Sequence, residues 1–529
     1  MSLHPLFFRF PGLVFCFSLF FSAVCAKENK DLMRANYYYT HYAYFEAIPY
    51  FEKVAPELND PLIYSRLADC YTVVNKLQKA TECYAKAADM PGCSEAVKMR
   101  FAQLLMQLKK YEEAEKWLKA YLEKSPGDVR AANLIQGCER NKTFSETMPE
   151  GVVQLLSFNT NGSEFAPTLW KGKLVFSSDT DVDVRKKRDG WTGRSFYNIY
   201  ALKCDQGQCD SGFAKLTGTK QLTNKFHDGP CTFSADGKVM YFTRSRVKDG
   251  LISKRSLVNK DSTVLLEIMV ASDYDSASRK FRTVVPFEYN SKEYAVAHPS
   301  VSPDGSRLVF TSNKPKGAGG SDLYICSRVN GHWSEPRNAG DVVNTEGEEV
   351  FPYWADDTTL FFSSDGHPGF GGLDIYKCVW RNSMGSFTEP QNVGEPVNSS
   401  YDDISLAMFA DGRSTYFSSN RPAATGGDNI YYYKRQRIFL QLIVFDSLTR
   451  QPIAEAGIEM RGGVNNDNSK TDGGGRYLTR LYPERNYEIV VSKDKYTTGH
   501  LNVVAASMLE TDTIVRNVFL YQPPGRVPD

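Results

Sequence analysis

The sequence predicts a multidomain chain, α-helical first and all-β afterwards. A helical solenoid comes first, then a β region built from one repeated unit, then a small β-sandwich. Three observations predict this. Alanines 47, 80 and 114 recur at 33 and 34 residues inside helical periodicity. A phrase beginning Ser302-Pro303-Asp304-Gly305 and closing near Asp322-Leu323-Tyr324-Ile325 recurs between residues 160 and 433. From residue 438 β-branched and polar residues alternate, with turn residues between the runs.

The N-terminus precedes all three. His4 and Arg9 give a weak basic region, Leu13–Phe21 is apolar, and Ser22-Ala23-Val24-Cys25-Ala26 supplies small residues, so 1–26 reads as a secretory signal. Cleavage after Ala26, lipidation of Cys25 as first residue, and an uncleaved anchor are the three readings. No later run reaches 18 apolar residues, so no other membrane helix is expected. The 529 residues carry a formal net charge of +1, which offers no global polybasic signal for nucleic acid. The 30 Tyr and 32 Phe suit β-rich packing and adhesive surfaces.

Residues 27–145 form the helical part. Tyr44, Leu77 and Tyr111 precede the repeated alanines by three; Phe51, Tyr84 and Leu118 follow them by four. Small residues at fixed places let antiparallel helices approach, and large ones fill the groove. Pro91 and Pro126 end the second helices of units two and three, and 129–140 closes the array. The pattern resembles the tetratricopeptide repeat, which implies a curved solenoid whose concave face holds a peptide or partner, or a spacer without ligand. Tyr37, Tyr38, Tyr39 and Tyr42, with Tyr44, form an aromatic cluster near its start. They are candidate protein-binding anchors, or packing for the first helix pair.

Residues 150–436 carry five copies of the β phrase. Phe176, Phe242, Phe310, Phe362 and Phe417 mark them at intervals of 66, 68, 52 and 55 residues. Asp-Gly makes a hairpin turn, the apolar strand after it is expected near a hub, and Ser-Ser-Asp or Thr-Ser-Asn forms a self-bonding polar turn. Gly-Gly lets the chain pass close to a neighbour. Trp333-Ser334-Glu335-Pro336 and Phe387-Thr388-Glu389-Pro390 echo each other. This is similar to the TolB-type, WD40-like repeat of periplasmic proteins, and the resemblance implies a β-propeller of five blades, with six as the runner-up.

Chemistry is sparse. No Gly-x-Ser-x-Gly, His-Glu-x-x-His or phosphate loop occurs, and no catalytic, cofactor or metal residue is expected. Asp181 and Asp183, before basic Arg185–Arg188, are too few for a calcium loop. His227, His298 and His332 are expected in blade turns. Cys204 and Cys209 flank a polar Asp-Gln-Gly-Gln and are expected to form a local disulfide. Cys326 and Cys378 read as small buried strand residues.

Residues 438–522 are the last domain, with strands at Ile438–Phe445 and Ala456–Met460 and a turn at Thr471–Tyr477; 523–529 reads as a tail or linker. The order resembles the carboxypeptidase regulatory-like domain, usually non-catalytic. Taken together, the domain order resembles Bacteroidetes envelope proteins such as the PorE-type component of the type IX secretion system. In those proteins an OmpA-like domain follows; here a partner supplies it, the chain is a relative with a different attachment, or it is truncated, and peptidoglycan contact is expected only indirectly. The resemblance implies a non-catalytic periplasmic scaffold with envelope or secretion-system protein partners. It would meet the outer membrane by association or a lipid anchor. A module for glycan or peptidoglycan fragments and a propeller-based hydrolase are the alternatives.

Overall fold

Seven helices open the described part of the computed structural model: α1 (Lys30–Thr40), α2 (Tyr44–Leu58), α3 (Pro61–Val73), α4 (Leu77–Asp89), α5 (Glu95–Gln107), α6 (Tyr111–Leu122) and α7 (Val129–Phe144). The structure describes residues 29–144, 151–180, 189, 191–216, 227–246, 265–278, 280–423, 427–436, 438–462, 467–482, 485–505 and 512–523. Residues 1–28 with Cys25, the Asp181–Arg188 loop and residues 524–529 lie outside them.

Helices pair as α1/α2, α3/α4 and α5/α6, and α7 packs on α6. The repeated alanines 47, 80 and 114 are all fully buried, and Phe51, Tyr84 and Leu118 fill the grooves beside them. Asn29 caps α1, and Asp60 caps α3 ahead of Pro61, whose fixed φ suits a first helical position. The turn inside each pair takes a left-handed residue at the same repeat position: Tyr42, Asn75 and Lys109, with φ of 55°, 55° and 59°. A tyrosine there is uncommon.

The β region closes into five sheets of four or five strands. The inner strands are Glu164–Trp170, Asp228–Phe233, Val296–Val301, Glu349–Trp354 and Asp403–Met408. Each touches the next, and the last returns to the first, so the ring holds five blades and the six-blade alternative falls. The outer strand of blade 5 is Gly151–Leu155, which pairs with Asn429–Arg435 and ties the two ends of the ring together. The hub strand is the one before the Asp-Gly turn. The apolar strand after it, such as Arg307–Ser312, is second in each blade, which corrects the sequence expectation. Its burial comes from blade-on-blade packing on both faces.

The last domain is a sandwich. One sheet orders Arg476–Leu481, Ile438–Asp446 and Asp512–Leu520, the last two parallel. The other orders Asp467–Lys470, Gly457–Arg461, Arg485–Ser492 and Gly499–Ala505. Ile438, Leu440, Leu442 and Val444 alternate into the core with Ile458, Tyr487, Ile489 and Val491.

Candidate functional site

Where the two repeat arrays meet, polar groups from both cluster. Helices α3, α5 and α7, the first helix of the second and third pairs and the closing helix, face propeller loops around Glu348, Asp365–Leu373 and Ser400–Asp402. Arg130 on α7 pairs with Asp365, Asn133 Nδ2 donates to the Gly366 carbonyl at 2.8 Å, and Asn141 Nδ2 to the Gly369 carbonyl at 3.1 Å. Ser400 Oγ donates to the Gln107 carbonyl at 2.8 Å. The Gly-Gly pair serves this approach. A Cβ on Gly371 would stand 2.6 Å from the Ser400 carbonyl oxygen and 3.0 Å from the Met106 carbonyl carbon. The face formed by α3, α5 and α7 is therefore met by the chain's own propeller.

A cavity of about 370 Å³ remains between the two, lined by Asp69, Arg100, Gln103, Glu348, Asp365 and Asp402 among others. Asp69 is its hub. It accepts from Tyr39 Oη at 2.6 Å, from Tyr84 Oη, and from Arg100 Nη1 at 2.9 Å, joining three repeats through one carboxylate. Burial pushes the Tyr39 and Tyr84 hydroxyls well up, with Asp69 adding to it. Bonds to a charged acceptor contribute about 1.5–3 kcal/mol each.

Under this face four of the five blades carry a buried carboxylate at the start of the hub strand, Glu164, Asp228, Glu349 and Asp403; blade 3 has Val296 there. Glu349 accepts from Thr345 N at 2.8 Å, Thr345 Oγ1 at 2.6 Å and Ser364 Oγ at 2.7 Å; Glu164 repeats the set with Thr160 and Ser178. Asp403 does the same with Ser399, and Arg421 joins it. Burial pushes Glu349 up to about 7 and Asp428 to about 6, and raises Asp402 and Asp403. Among Glu164, Glu349 and Asp403 every donor comes from the same blade or its leading loop, so turn closure accounts for them.

An asparagine repeats beside them. Asn290, Asn344, Asn398 and Asn159 each accept from and donate to one backbone residue of a neighbouring third strand: Ile268, Leu323, Ile375 and Ile430. These clips hold blade to blade. The sequence signal was available as Asn344-Thr345 and Asn398-Ser399 before the hub strand, but a lone asparagine reads as a turn residue.

The axis is nearly filled. Each hub strand has a bulge whose residue takes positive φ: Ala166, Gly229, His298, Phe351 and Ser405. Proline follows four of the five, and the space left is about 30 Å³, room for about one water. No carboxylate lines it among the described residues. His298 sits in the hub strand and not in a turn, stacked on Phe351 at 4.1 Å between centroids, and burial pushes it down to about 3. It is a neutral packing residue here.

The sequence-predicted residues scatter. Tyr39 is tied to Asp69, Tyr38 stacks on Tyr50 at 5.7 Å, and Tyr42 stacks on Trp191 of the first blade at 6.0 Å. Only Tyr37 of the four is mostly exposed, at 56%. Tyr38, Tyr39 and Tyr42 thus make contacts within the molecule, and Tyr37 stacks on His41 at 4.2 Å. Cys204 and Cys209 stand opposite each other across a hairpin and are joined as a disulfide, with Cα atoms 4.0 Å apart. Cys326 and Cys378 are buried strand residues.

The tetratricopeptide repeat family matches residues 75–138. No curated protein matches. Among solved structures, catechol 1,2-dioxygenase from Acinetobacter sp. ADP1 is 10% identical over 16% of this chain and 52% of its own, with a TM-score of 0.14; the match spans about half of that chain. The α-L-arabinofuranosidase PaAbf62A from Podospora anserina is 13% identical over 54% and 96%, with a TM-score of 0.32. A puromycin-hydrolysing peptidase from Mycobacterium tuberculosis is 12% identical over 65% and 61%, with a TM-score of 0.30.

Proposed function

We propose that the chain is a non-catalytic scaffold that holds protein partners together. The observation that supports it most is the clasp of solenoid on propeller, which joins two repeat arrays into one platform and leaves little free space on the axis. Repeat arrays of this kind present surface more than chemistry. The periplasm, on the inner side of an outer membrane, is the setting we propose from the N-terminal pattern and the domain order. Within it, a type IX-like secretion assembly is the partner complex that this order resembles. Crosslinking in intact cells with identification of the captured proteins tests the reading. Specific partners of an envelope complex are expected, and recovery of none would sink it.

One observation favours the glycan-fragment reading as second. Trp191, 42% exposed, and Phe45, 46% exposed, stand at the rim between solenoid and propeller, with Phe45 against Gly193. Titration with muropeptides should shift Trp191 fluorescence if this rim binds sugar; an unmoved signal dismisses it.

A further inference from the structure

The outer face of the three-stranded sheet in the last domain is apolar and cationic at once. Register places Phe439, Gln441, Ile443 and Phe445 on this face. Beside them stand Arg476, Leu478 and Arg480 on one flank and Thr513, Val515, Asn517 and Phe519 on the other. The opposite parity, Ile438 to Val444, enters the core. Leu478 is 64% exposed, Val515 50% and Phe519 46%. Phe445 and Phe519 stack at 5.6 Å, and Arg450 lies over Phe519 at 4.7 Å. No position of this face holds a carboxylate; the rest are uncharged.

We infer that this face docks an extended acidic segment of a partner protein, its apolar side chains on the Leu478–Val515–Phe519 strip and its carboxylates on Arg450 and Arg476. The inference rests on the scaffold reading. Charge complementarity sets the sign of the partner, since forked guanidiniums match carboxylates in two-bond geometry and like charges would be repelled. An exposed pleated face favours a strand. On its far side the strand Asp512–Leu520 has no partner strand among the described residues. A segment lying along it would point alternate side chains onto the same face. Contiguous apolar surface rimmed by charge marks interaction sites more often than idle surface.

The test uses the full chain and two labelled peptides of equal length, one alternating Glu with Val and Phe, the other Lys with Val and Phe. Fluorescence anisotropy should show saturable binding of the acidic peptide, weakened by added salt, and none of the lysine peptide. The double variant Leu478→Ser/Val515→Ser should weaken it about tenfold or more at unchanged melting temperature. Equal binding of both peptides, or an unchanged double variant, would overturn the proposal. So would flotation of the protein on phosphatidylglycerol vesicles without peptide binding, which would assign the face to a membrane surface. A photo-crosslinking residue in place of Leu478 separates the two readings. If it captures nothing while other surface positions capture partners, this inference fails and the scaffold stands; if no position captures any, both fail.

Discussion

The solenoid wall of α3, α5 and α7 and the sandwich's outer sheet are both surfaces on which a partner could sit, and they have opposite fates. The first is covered by propeller loops through an ion pair, three side-chain-to-backbone bonds and a close glycine approach. The second keeps Leu478, Val515 and Phe519 exposed. Whether a face of a repeat array is free thus depends on whether another domain of the same chain can reach it. What decides is which surface still has apolar groups in water.

The largest expected effect lies beneath the covered face. Glu349 is fully buried, and burial raises it from 4.5 to about 7. Its folded form favours the proton, so this contribution to stability is complete below about pH 4.5 and is lost as pH rises through about 7. Glu349→Gln imitates the protonated form. Its carbonyl can accept from Thr345 N–H while its NH₂ meets the rotatable hydroxyls of Thr345 and Ser364. The variant should match the wild type near pH 4.5 and exceed it by roughly 3 kcal/mol near pH 8 in denaturant titrations. A constant difference across that window would show that Glu349 does not titrate there.

Gly371→Val comes next, because it opens the covered face directly. The new side chain meets the α5 backbone at Met106 and Gln107 as well as Ser400. Overpacking of this kind costs about 1–3 kcal/mol; moving the solenoid away relieves the contacts with Met106 and Gln107, while the contact with Ser400 must relax within the propeller. The radius of gyration in small-angle scattering should rise and Trp191 fluorescence should change as Tyr42 leaves it. Gly127→Ala, where a Cβ meets nothing within 4 Å, is the control. Unchanged scattering for Gly371→Val would mean that the clasp is looser than its bonds imply.

These positions also show how far the sequence could be read. The helical pairs and blades were legible because burial is periodic: Ala47, Ala80 and Ala114 must be small, and Phe176 to Phe417 must be apolar. Asp-Gly and Gly-Gly were legible because positive φ and close approach each demand glycine. The order of strands within a blade was not, since His298-Pro299 looks like a turn until the bulge at the hub is seen. The clasp was not legible either. Arg130 and Asp365 are 235 positions apart, and neither is unusual in its own neighbourhood. Tyr42 shows both limits. Its aromatic character was noticed, but its role comes from a left-handed turn shared with Asn75 and Lys109 and from Trp191, which no local pattern links to it.

Arg130→Ala probes the same interface more gently. The pair is partly buried, with about a quarter of the Arg130 side chain and a fifth of the Asp365 side chain exposed, so solvent screens part of it. A loss of about 1 kcal/mol is expected, shrinking as salt is raised. A loss that ignores salt would mean that packing of the arginine stem, and not its charge, holds α7 in place.

The smallest effect on stability belongs to the uncovered sheet, and there smallness is the point. Leu478 and Val515 point away from the core, so replacing each with serine removes little packing and exposes no new backbone. Such surface changes stay within about 0.5 kcal/mol. Serine loses some strand propensity relative to valine, while removal of exposed apolar area improves solubility, so the two tendencies oppose each other. The comparison of the two faces turns on this variant. If Leu478→Ser/Val515→Ser melts with the wild type yet loses the acidic peptide, the apolar strip is held for a partner. If it melts far lower, the strip packs within the molecule, and the sandwich face belongs with the covered wall of the solenoid.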